Sequence, residues 1–406
     1  MNKQMSRSFT ESFLVFSLSR MPLGFLLVDT ISGFILHNGL LPFSFSIIYK
    51  FSYIVLCLVW LLSVQGYQFE KLFVLSWIVY MAIWAGIGLI FNDYDLVHRL
   101  LELFKLCSIF IMFYALSTLP PKVHDKLKNF YFYTLIVVLA NISLSLLGYG
   151  MNSYGDYGAK GFLFGGNALS SVIVILGVYY LGKAYNKGFL IYFFTVLSFI
   201  FLSFIVGTKS AILGILLAAF IILVMKGKLR DWLALIVLWA IVFFILLASW
   251  NLIESTAMYA RLSYFYYGDG LERLLFSGRL DFLRGIWNVY VDSGIKGLLF
   301  GIGKEQLSSL SHDISEMDVT DVVFSFGFVT LLVYLVSFLI TIVFIYVNSS
   351  YGLFIFAFST TVVLFLIGAI AGHVLFNGVV TPFWALVLVL PVLEPRRKKL
   401  KNRMRF

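Results

Sequence analysis

Apolar residues fill this chain in stretches of about 20, and short polar segments separate one stretch from the next. An apolar run of that length matches an α-helix that crosses a bilayer, whereas alternating apolar and polar positions would indicate strands. The pattern predicts twelve transmembrane helices, near residues 13–36, 43–64, 72–91, 100–119, 129–149, 167–182, 188–206, 210–225, 232–250, 319–347, 351–371 and 374–393. The expected fold class is therefore an all-α polytopic membrane protein.

The composition agrees with this pattern. Of the 406 residues, 61% are hydrophobic and 12% are charged, and the mean hydropathy is +0.96. The charged fraction is about half the ~25% of ordinary soluble domains, which excludes a soluble enzyme.

Lysine and arginine are distributed unevenly between the predicted loops. With a cytoplasmic amino terminus, the cytoplasmic segments hold 18 of the 30 basic residues and only five acidic ones. Because basic residues in short loops accumulate on the cytoplasmic side, we expect both termini there. Residues 1–250 then carry the first nine helices and residues 319–393 the last three. The basic tail, residues 394–406, is expected to lie on anionic lipid headgroups rather than on nucleic acid.

Residues 251–318 form the longest segment without a predicted span, and the topology places this segment outside. Counted through Asp321, it holds six basic and ten acidic residues, so the positive-inside rule does not explain its charge. Its aromatic residues and helical pattern indicate a partly helical structure packed on the membrane domain. Long segments of this kind often carry function.

One helix is predicted in this segment from Gly278 to about Asp292, with Ser277 as its cap. Arg279 lies in the first turn, on the same arc as the apolar residues, where a cation opposes the helix dipole. Either Arg279 extends its charged end to water or pairs with an acidic neighbour, or it binds a phosphate group there. Arg284 is able to pair simply with Asp281, three residues earlier.

Two histidines, His312 and His373, are candidates for proton transfer or sugar binding because both lie on the predicted outward side. His312 is in the external segment, and the acidic residues Glu316, Asp318 and Asp321 follow it. These acids either orient the imidazole or complement the dipole of the next helix. His373, at the outer end of a predicted span, is a candidate for glycan binding, with packing or a backbone hydrogen bond as the alternative.

A metal-dependent site is a further hypothesis. Asp93 and Asp95 form an Asp-x-Asp pair at an outer helix end, and two such carboxylates are able to contribute to a divalent-cation site. Capping of the loop is the simpler interpretation of the same residues.

Four short motifs follow one another between residues 150 and 335. They are Gly161–Asn167 before a helix, Gly207-Thr208-Lys209-Ser210 at a helix start, Ser277-Gly278-Arg279 with Trp287 and Gly301-Ile302-Gly303, and Ser311-His312 with Gly327. In order, spacing and shared outward side they resemble motifs of the O-antigen polymerase and O-antigen ligase family of membrane glycosyltransferases. The helix number and the single large external segment resemble that family too.

The resemblance implies a GT-C-like fold and a reaction without metal or other cofactor. A glycan would pass from an undecaprenyl diphosphate carrier to an acceptor sugar hydroxyl. Arg279 would bind the diphosphate, Lys209 would assist it, and His312 would be the general base. The family usually has arginine where this chain has Lys209, and lysine cannot make the same bidentate phosphate contact.

Other residues on the predicted outward side are candidates for binding the diphosphate or the glycan: Lys160, Asn167, Arg284, Glu316, Asp318 and His373. The implied partners are an undecaprenyl-diphosphate-linked oligosaccharide, membrane lipid, a chain-length regulator and a flippase. The implied location is the inner membrane of a bacterial cell.

Three functions remain open at this point. The first is a polymerase that extends a lipid-linked polysaccharide. The second is a ligase that transfers the finished polymer to lipid A–core, with the same donor and a different acceptor. The third is a twelve-span transporter or flippase, an interpretation supported by Lys50, Glu102 and Lys105 in or near predicted spans.

Overall fold

The computed structural model describes residues 9–90, 95–154, 157–163, 165–248, 254, 257–276, 278–302, 304–307, 310 and 314–403. Most of these residues are helical, and ten of the helical segments are long and apolar enough to cross a membrane. Helices suit a bilayer because every backbone polar group finds its partner within the segment. The described part of the chain is thus an all-α polytopic membrane protein, as the sequence predicts.

The helices in chain order are α1 (Phe9–Arg20), α2 (Phe25–His37), α3 (Phe45–Ser63), α4 (Gln68–Ile90), α5 (Leu96–Ser117), α6 (His124–Lys128), α7 (Phe130–Leu146), α8 (Gly166–Lys187), α9 (Phe189–Val206), α10 (Lys209–Lys226), α11 (Leu229–Ala248), α12 (Ala257–Phe276), α13 (Arg279–Asp292), α14 (Gly294–Phe300), α15 (Lys304–Leu307), α16 (Asp318–Asn348), α17 (Tyr351–Ala371) and α18 (Val380–Arg403). Two 3-10 turns, Met21–Gly24 and Pro121–Val123, join α1 to α2 and precede α6. Strands β1 (Met151–Tyr154) and β2 (Tyr157–Gly161) form an antiparallel hairpin between α7 and α8.

Ten predicted spans correspond to the ten membrane-length segments, and the other two fall on α11 and α18. The total of twelve spans stays a prediction. The first predicted span contains the turn Met21–Gly24, because Pro22 interrupts the helix. The last one begins later than predicted, at Val380 instead of residue 374, because residues 372–379 form a loop.

The core of the bundle lies along three helices. Buried side chains cover most of α5 and α8 and the first part of α18, from Val380 to Leu393. Large aromatic and aliphatic side chains fill the space around these helices. Trp384 of α18, for example, packs edge-on against Phe365 of α17. Other helices, such as α4, are buried on one side and expose apolar residues on the other. That arrangement fits helices that face lipid.

Most described residues of the segment between α11 and α16 are helical, and its external position stays a prediction. Helix α13 begins one residue after the predicted start and ends at the predicted Asp292. Its residues Ile286 and Tyr290 are buried in a small cluster with Ile302 and Phe324. The Tyr290 hydroxyl donates to the Leu298 carbonyl (2.9 Å), and burial raises the pKa of Tyr290 to about 12. This cluster fixes the segment on the first turns of α16.

Helix α16 is broken inside, although the sequence pattern predicts one continuous span. Gly327 has φ +79°, and any side chain there would overlap the carbonyl oxygen of Leu299. The break frees carbonyl groups of the preceding turn. The Phe324 carbonyl accepts the N–H of Ile302 (2.7 Å), so the loop after α14 completes the broken helix.

Candidate functional site

A cavity of about 260 Å³ opens at the end of the bundle where α5 and α16 begin and α17 ends. This end is called the site end below. The cavity has an unusual number of ionisable side chains for a membrane protein. The residues that line it are His98, Arg99, Glu102, Ile302, Leu307, Ile314, Glu316, Asp318, Asp321, Ser325, Phe326, His373, Phe376 and Asn377.

Arg279 stands at the first position of α13, beside this cavity. Its Nε atom lies 3.3 Å from Glu316 Oε2, and its side chain is 14% exposed. The guanidinium also interacts electrostatically with Asp318. Nε is nevertheless buried with no hydrogen-bond partner among the described residues, because the contact to Glu316 lacks hydrogen-bond geometry. The predicted ion pair therefore exists, and one guanidinium donor next to the cavity is still unsatisfied.

Asp318 anchors the loop between α17 and α18. Its Oδ1 accepts the backbone N–H of His373 (2.7 Å), and its Oδ2 accepts those of Val374 (2.6 Å) and Leu375 (2.8 Å). The carboxylate is almost fully buried, so these three bonds replace its lost hydration. Asp318 thus holds the backbone of His373 at the cavity.

Asp321 has a similar role one turn later. Its Oδ1 accepts both the N–H and the hydroxyl of Ser315, each at 2.7 Å. Ser315 is fully buried and shares a hydrogen bond with Thr320 (2.6 Å). The two aspartates in the first turn of α16 therefore fix the two loops that border the cavity, and this goes beyond complementing a helix dipole.

Backbone strain is concentrated at the same place. Among the described residues, three that are not glycine have positive φ, and two of them, Glu316 (57°) and His373 (61°), line the cavity. Gly372 lies between α17 and His373 with φ +61°, and a side chain there would overlap the carbonyl of Glu316. Such conformations cost energy and collect at functional sites, where the surrounding structure maintains them.

Arg99 contributes a clamp that the sequence analysis missed. From α5 its Nε donates to the Ser325 carbonyl (3.1 Å) and its Nη2 to the Phe300 carbonyl (2.9 Å), while the guanidinium lies over the Trp84 ring at 4.5 Å. It thereby joins the broken turn of α16 to the end of α14. His98 and Glu102, also missed as site residues, line the cavity from the same helix. The sequence did contain a sign of this site, because His98, Arg99 and Glu102 are three ionisable residues within five positions at the end of a predicted span.

Three other predicted residues lie on elements around the site end. Asn167, in the first turn of α8, donates from Nδ2 to the carbonyl of Ala371 (3.3 Å), which precedes the strained Gly372 and His373. Lys209 is the first residue of α10. Lys160 lies on β2, and burial lowers the pKa of its amine. In the described part of the chain, neither lysine lines the cavity.

Arg284 lies away from the cavity. Its Nη1 is 3.4 Å from Asp281 Oδ1, as the spacing predicts, and its Nη2 is 3.0 Å from Glu272 Oε1. The side chain is 68% exposed. These surface ion pairs are the observed contacts of Arg284, and its predicted contact with substrate stays a prediction.

Several predicted residues fall outside the described residues and stay predictions. These are the general base His312, the helix cap Ser277, and parts of three motifs: Phe164, Gly303 and Ser311. Asp93 of the hypothetical metal site lies outside as well, whereas Asp95 is described.

Comparison with known proteins gives no assignment. No protein-family model matches this chain, and no curated protein matches it either.

Proposed function

We propose that this protein is a surface-polysaccharide polymerase, a membrane glycosyltransferase that joins undecaprenyl-diphosphate-linked repeat units at the outer face of a bacterial inner membrane. The observation that carries the proposal is the buried Arg279, whose Nε has no hydrogen-bond acceptor among the described residues beside the cavity. An unsatisfied guanidinium donor in a protected place is suited to an anionic oxygen, and a diphosphate offers several.

The reaction needs positive charge at the leaving group. The bond between the anomeric carbon and the phosphate oxygen breaks, and the carrier diphosphate gains negative charge as it leaves. A fixed cation aimed at that oxygen stabilises the transition state more than the ground state, and this is the role that we assign to Arg279. The acceptor hydroxyl forms the new bond to the anomeric carbon and gives its proton to a base. The family resemblance gives that role to His312, and His373 and His98 border the cavity as well.

The acidic residues of the cavity do not oppose a diphosphate as strongly as their number suggests. Glu316 is paired with Arg279, and Glu102 is paired with Lys105 at 2.6 Å. The oxygens of Asp318 and Asp321 accept hydrogen bonds from backbone and serine groups. Two of the four carboxylates thus have a cationic partner, and uncharged donors stabilise the other two in their buried positions.

A transporter is less well supported. Lys50 is paired with the buried Asp29, and Lys105 is paired with Glu102, so the charges that favoured transport neutralise each other.

The glycan ladder of a strain that lacks this gene tests the proposal. Loss of a polymerase leaves surface glycan with single repeat units, whereas loss of a ligase leaves no attached polymer and carrier-linked polymer accumulates. Arg279→Ala, expressed at the wild-type level, should fail to restore long chains. The matched control Arg230→Ala, at an exposed arginine on the other end of the bundle, should restore them. Long chains in the strain without the gene, or full restoration by Arg279→Ala, would contradict the proposal.

A further inference from the structure

A second cavity, of about 430 Å³, lies next to the first one. Small-molecule sites typically measure ~300–1,000 Å³, so it has room for a ligand. Helix α2, the start of α3, the start of α8 and the loop 372–379 surround it, and Asn377 lines both cavities. Its lining residues are Leu26, Asp29, Ser32, Gly33, Leu36, Ser44, Ser46, Leu163, Gly165, Ala168, Leu169, Asn377 and Val379.

A chain of hydroxyl groups runs along one wall of this second cavity. The Ser32 and Ser44 hydroxyl oxygens are 2.8 Å apart, and those of Ser44 and Ser46 are 2.9 Å apart. The Asp29 carboxylate lines the same cavity. Each serine hydroxyl is able to donate one hydrogen bond and accept two, so this wall offers both functions to a ligand.

Lys50 balances the charge of Asp29. Lys50 Nζ donates to both oxygens of Asp29, at 2.6 and 2.7 Å, and both side chains are buried. Among the described residues that line the cavity, Asp29 is the only charged one, and Lys50 compensates its charge. Such a wall does not attract a phosphate group, which distinguishes it from the Arg279 side of the first cavity.

Apolar residues line the same cavity, among them Leu26, Leu36 and Leu163. A cavity with both hydroxyl groups and apolar surface fits a sugar ring, which has hydroxyl groups on its edge and C–H groups on its faces. The stretch Gly161–Asn167 provides part of this cavity through Leu163 and Gly165. Gly33 of α2 touches the Phe162 carbonyl so closely that any side chain would overlap it. This contact brings that stretch against α2.

We propose that the second cavity binds a neutral sugar residue of the acceptor glycan, and that Asn377 lies between this sugar and the reacting centre. The inference rests on the proposed function, which places the donor diphosphate at Arg279 in the first cavity. It divides the two substrates between two adjoining spaces: the charged one for the diphosphate and the neutral, hydroxyl-lined one for the acceptor sugar.

Binding of two separate probes to the purified full-length protein tests this assignment. One probe is the soluble repeat-unit oligosaccharide, released from its carrier by mild acid, and the other is undecaprenyl diphosphate. The test variants are Ser32→Ala, Ser44→Ala and the double variant, which remove hydroxyl groups with little change of shape. The matched control is Ser52→Ala, an exposed serine on the same helix as Ser46. Unfolding midpoints verify that every variant is folded.

The double variant should bind the oligosaccharide about tenfold more weakly, as expected for the loss of about two neutral hydrogen bonds. It should bind undecaprenyl diphosphate as the wild type does, and Ser52→Ala should bind both probes normally. Arg279→Ala should show the opposite pattern, with weak diphosphate binding and normal oligosaccharide binding.

Three results would overturn the second-cavity assignment. The first is wild-type protein that does not bind the oligosaccharide, and the second is a folded double variant that binds it with unchanged affinity. The third is equal weakening of both probes by the serine changes, since that result would contradict separate sites. Failure of the proposed function looks different, because wild-type protein would then bind no undecaprenyl diphosphate whatever the oligosaccharide does.

Discussion

Replacement of Asp318 tests whether the loop between α17 and α18 is held as the structure indicates. The carboxylate accepts three backbone N–H groups, from His373, Val374 and Leu375, at 2.6 to 2.8 Å. Asp318→Ala removes all three acceptors at a site that has little access to water. A buried N–H without an acceptor costs about 1–3 kcal/mol, and the relief of burying a carboxylate offsets part of the sum, so the variant should lose about 2–4 kcal/mol of stability.

Asp318→Asn should have an intermediate effect. One oxygen is able to replace Oδ2 and keep the bonds from Val374 and Leu375, while the new amide group faces the N–H of His373. One N–H then lacks an acceptor, which costs about 1–3 kcal/mol. Because His373 and Asn377 border the cavities from this loop, both variants should also produce shorter glycan chains.

The assay is thermal unfolding of the purified protein in detergent, followed by tryptophan fluorescence, together with the glycan ladder of complemented cells. Asp281→Ala is the matched control, since its carboxylate is mostly exposed and forms only a surface ion pair. The expected order of stability is wild type and Asp281→Ala, then Asp318→Asn, then Asp318→Ala. An Asp318→Ala protein as stable as the wild type would refute the anchoring role.

Further predictions concern the break in α16 and the buried charges. Gly327→Ala should strongly lower the unfolding midpoint, because φ is +79° and the new methyl group overlaps a carbonyl, whereas Gly86→Ala, in open helical surroundings, should be neutral or slightly stabilising. Arg99→Lys should lower the unfolding midpoint and shorten the glycan, because an ammonium group cannot join the two carbonyls and stack on a ring in the same way; unchanged chain length would contradict the clamp. Lys50→Met should reduce the yield of folded protein in size-exclusion chromatography, since an unpaired buried charge costs about 3–5 kcal/mol, and adding Asp29→Asn should recover most of it. No recovery in the double variant would show that the pair has a role beyond charge compensation.

The spans, the start of α13 and one ion pair were predictable because each depends on residues that are close in sequence. Apolar runs located the spans, since the length of a helix across a bilayer is fixed by the bilayer. Turn and cap signals placed α13 within one residue of its observed start. The ion pair of Arg284 with Asp281 also followed from helical spacing. Each of these inferences needs only residues a few positions apart.

The features that build the cavity depend on residues distant in sequence. Asp318 bonds to a loop 55 to 57 residues away, and Arg99 bonds to carbonyls 201 and 226 residues away. The carbonyl groups carry no side-chain signal, so the role of Arg99 was not predictable from its neighbours. The break at Gly327 was missed because apolar residues continue on both sides and hide the change of direction. Position alone selected His373, and the strain at its backbone became visible only in the structure.

The most direct test of the central claim is transfer by the purified protein with undecaprenyl-diphosphate-linked repeat units in a buffer that contains EDTA. We expect the wild type to form elongated lipid-linked product under these conditions. Arg279→Ala should be slower by about 10²–10³-fold, as for the loss of one fixed group that stabilises a developing negative charge. A folded wild-type protein that forms no elongated product without a metal, or an Arg279→Ala protein as fast as the wild type, would contradict the account.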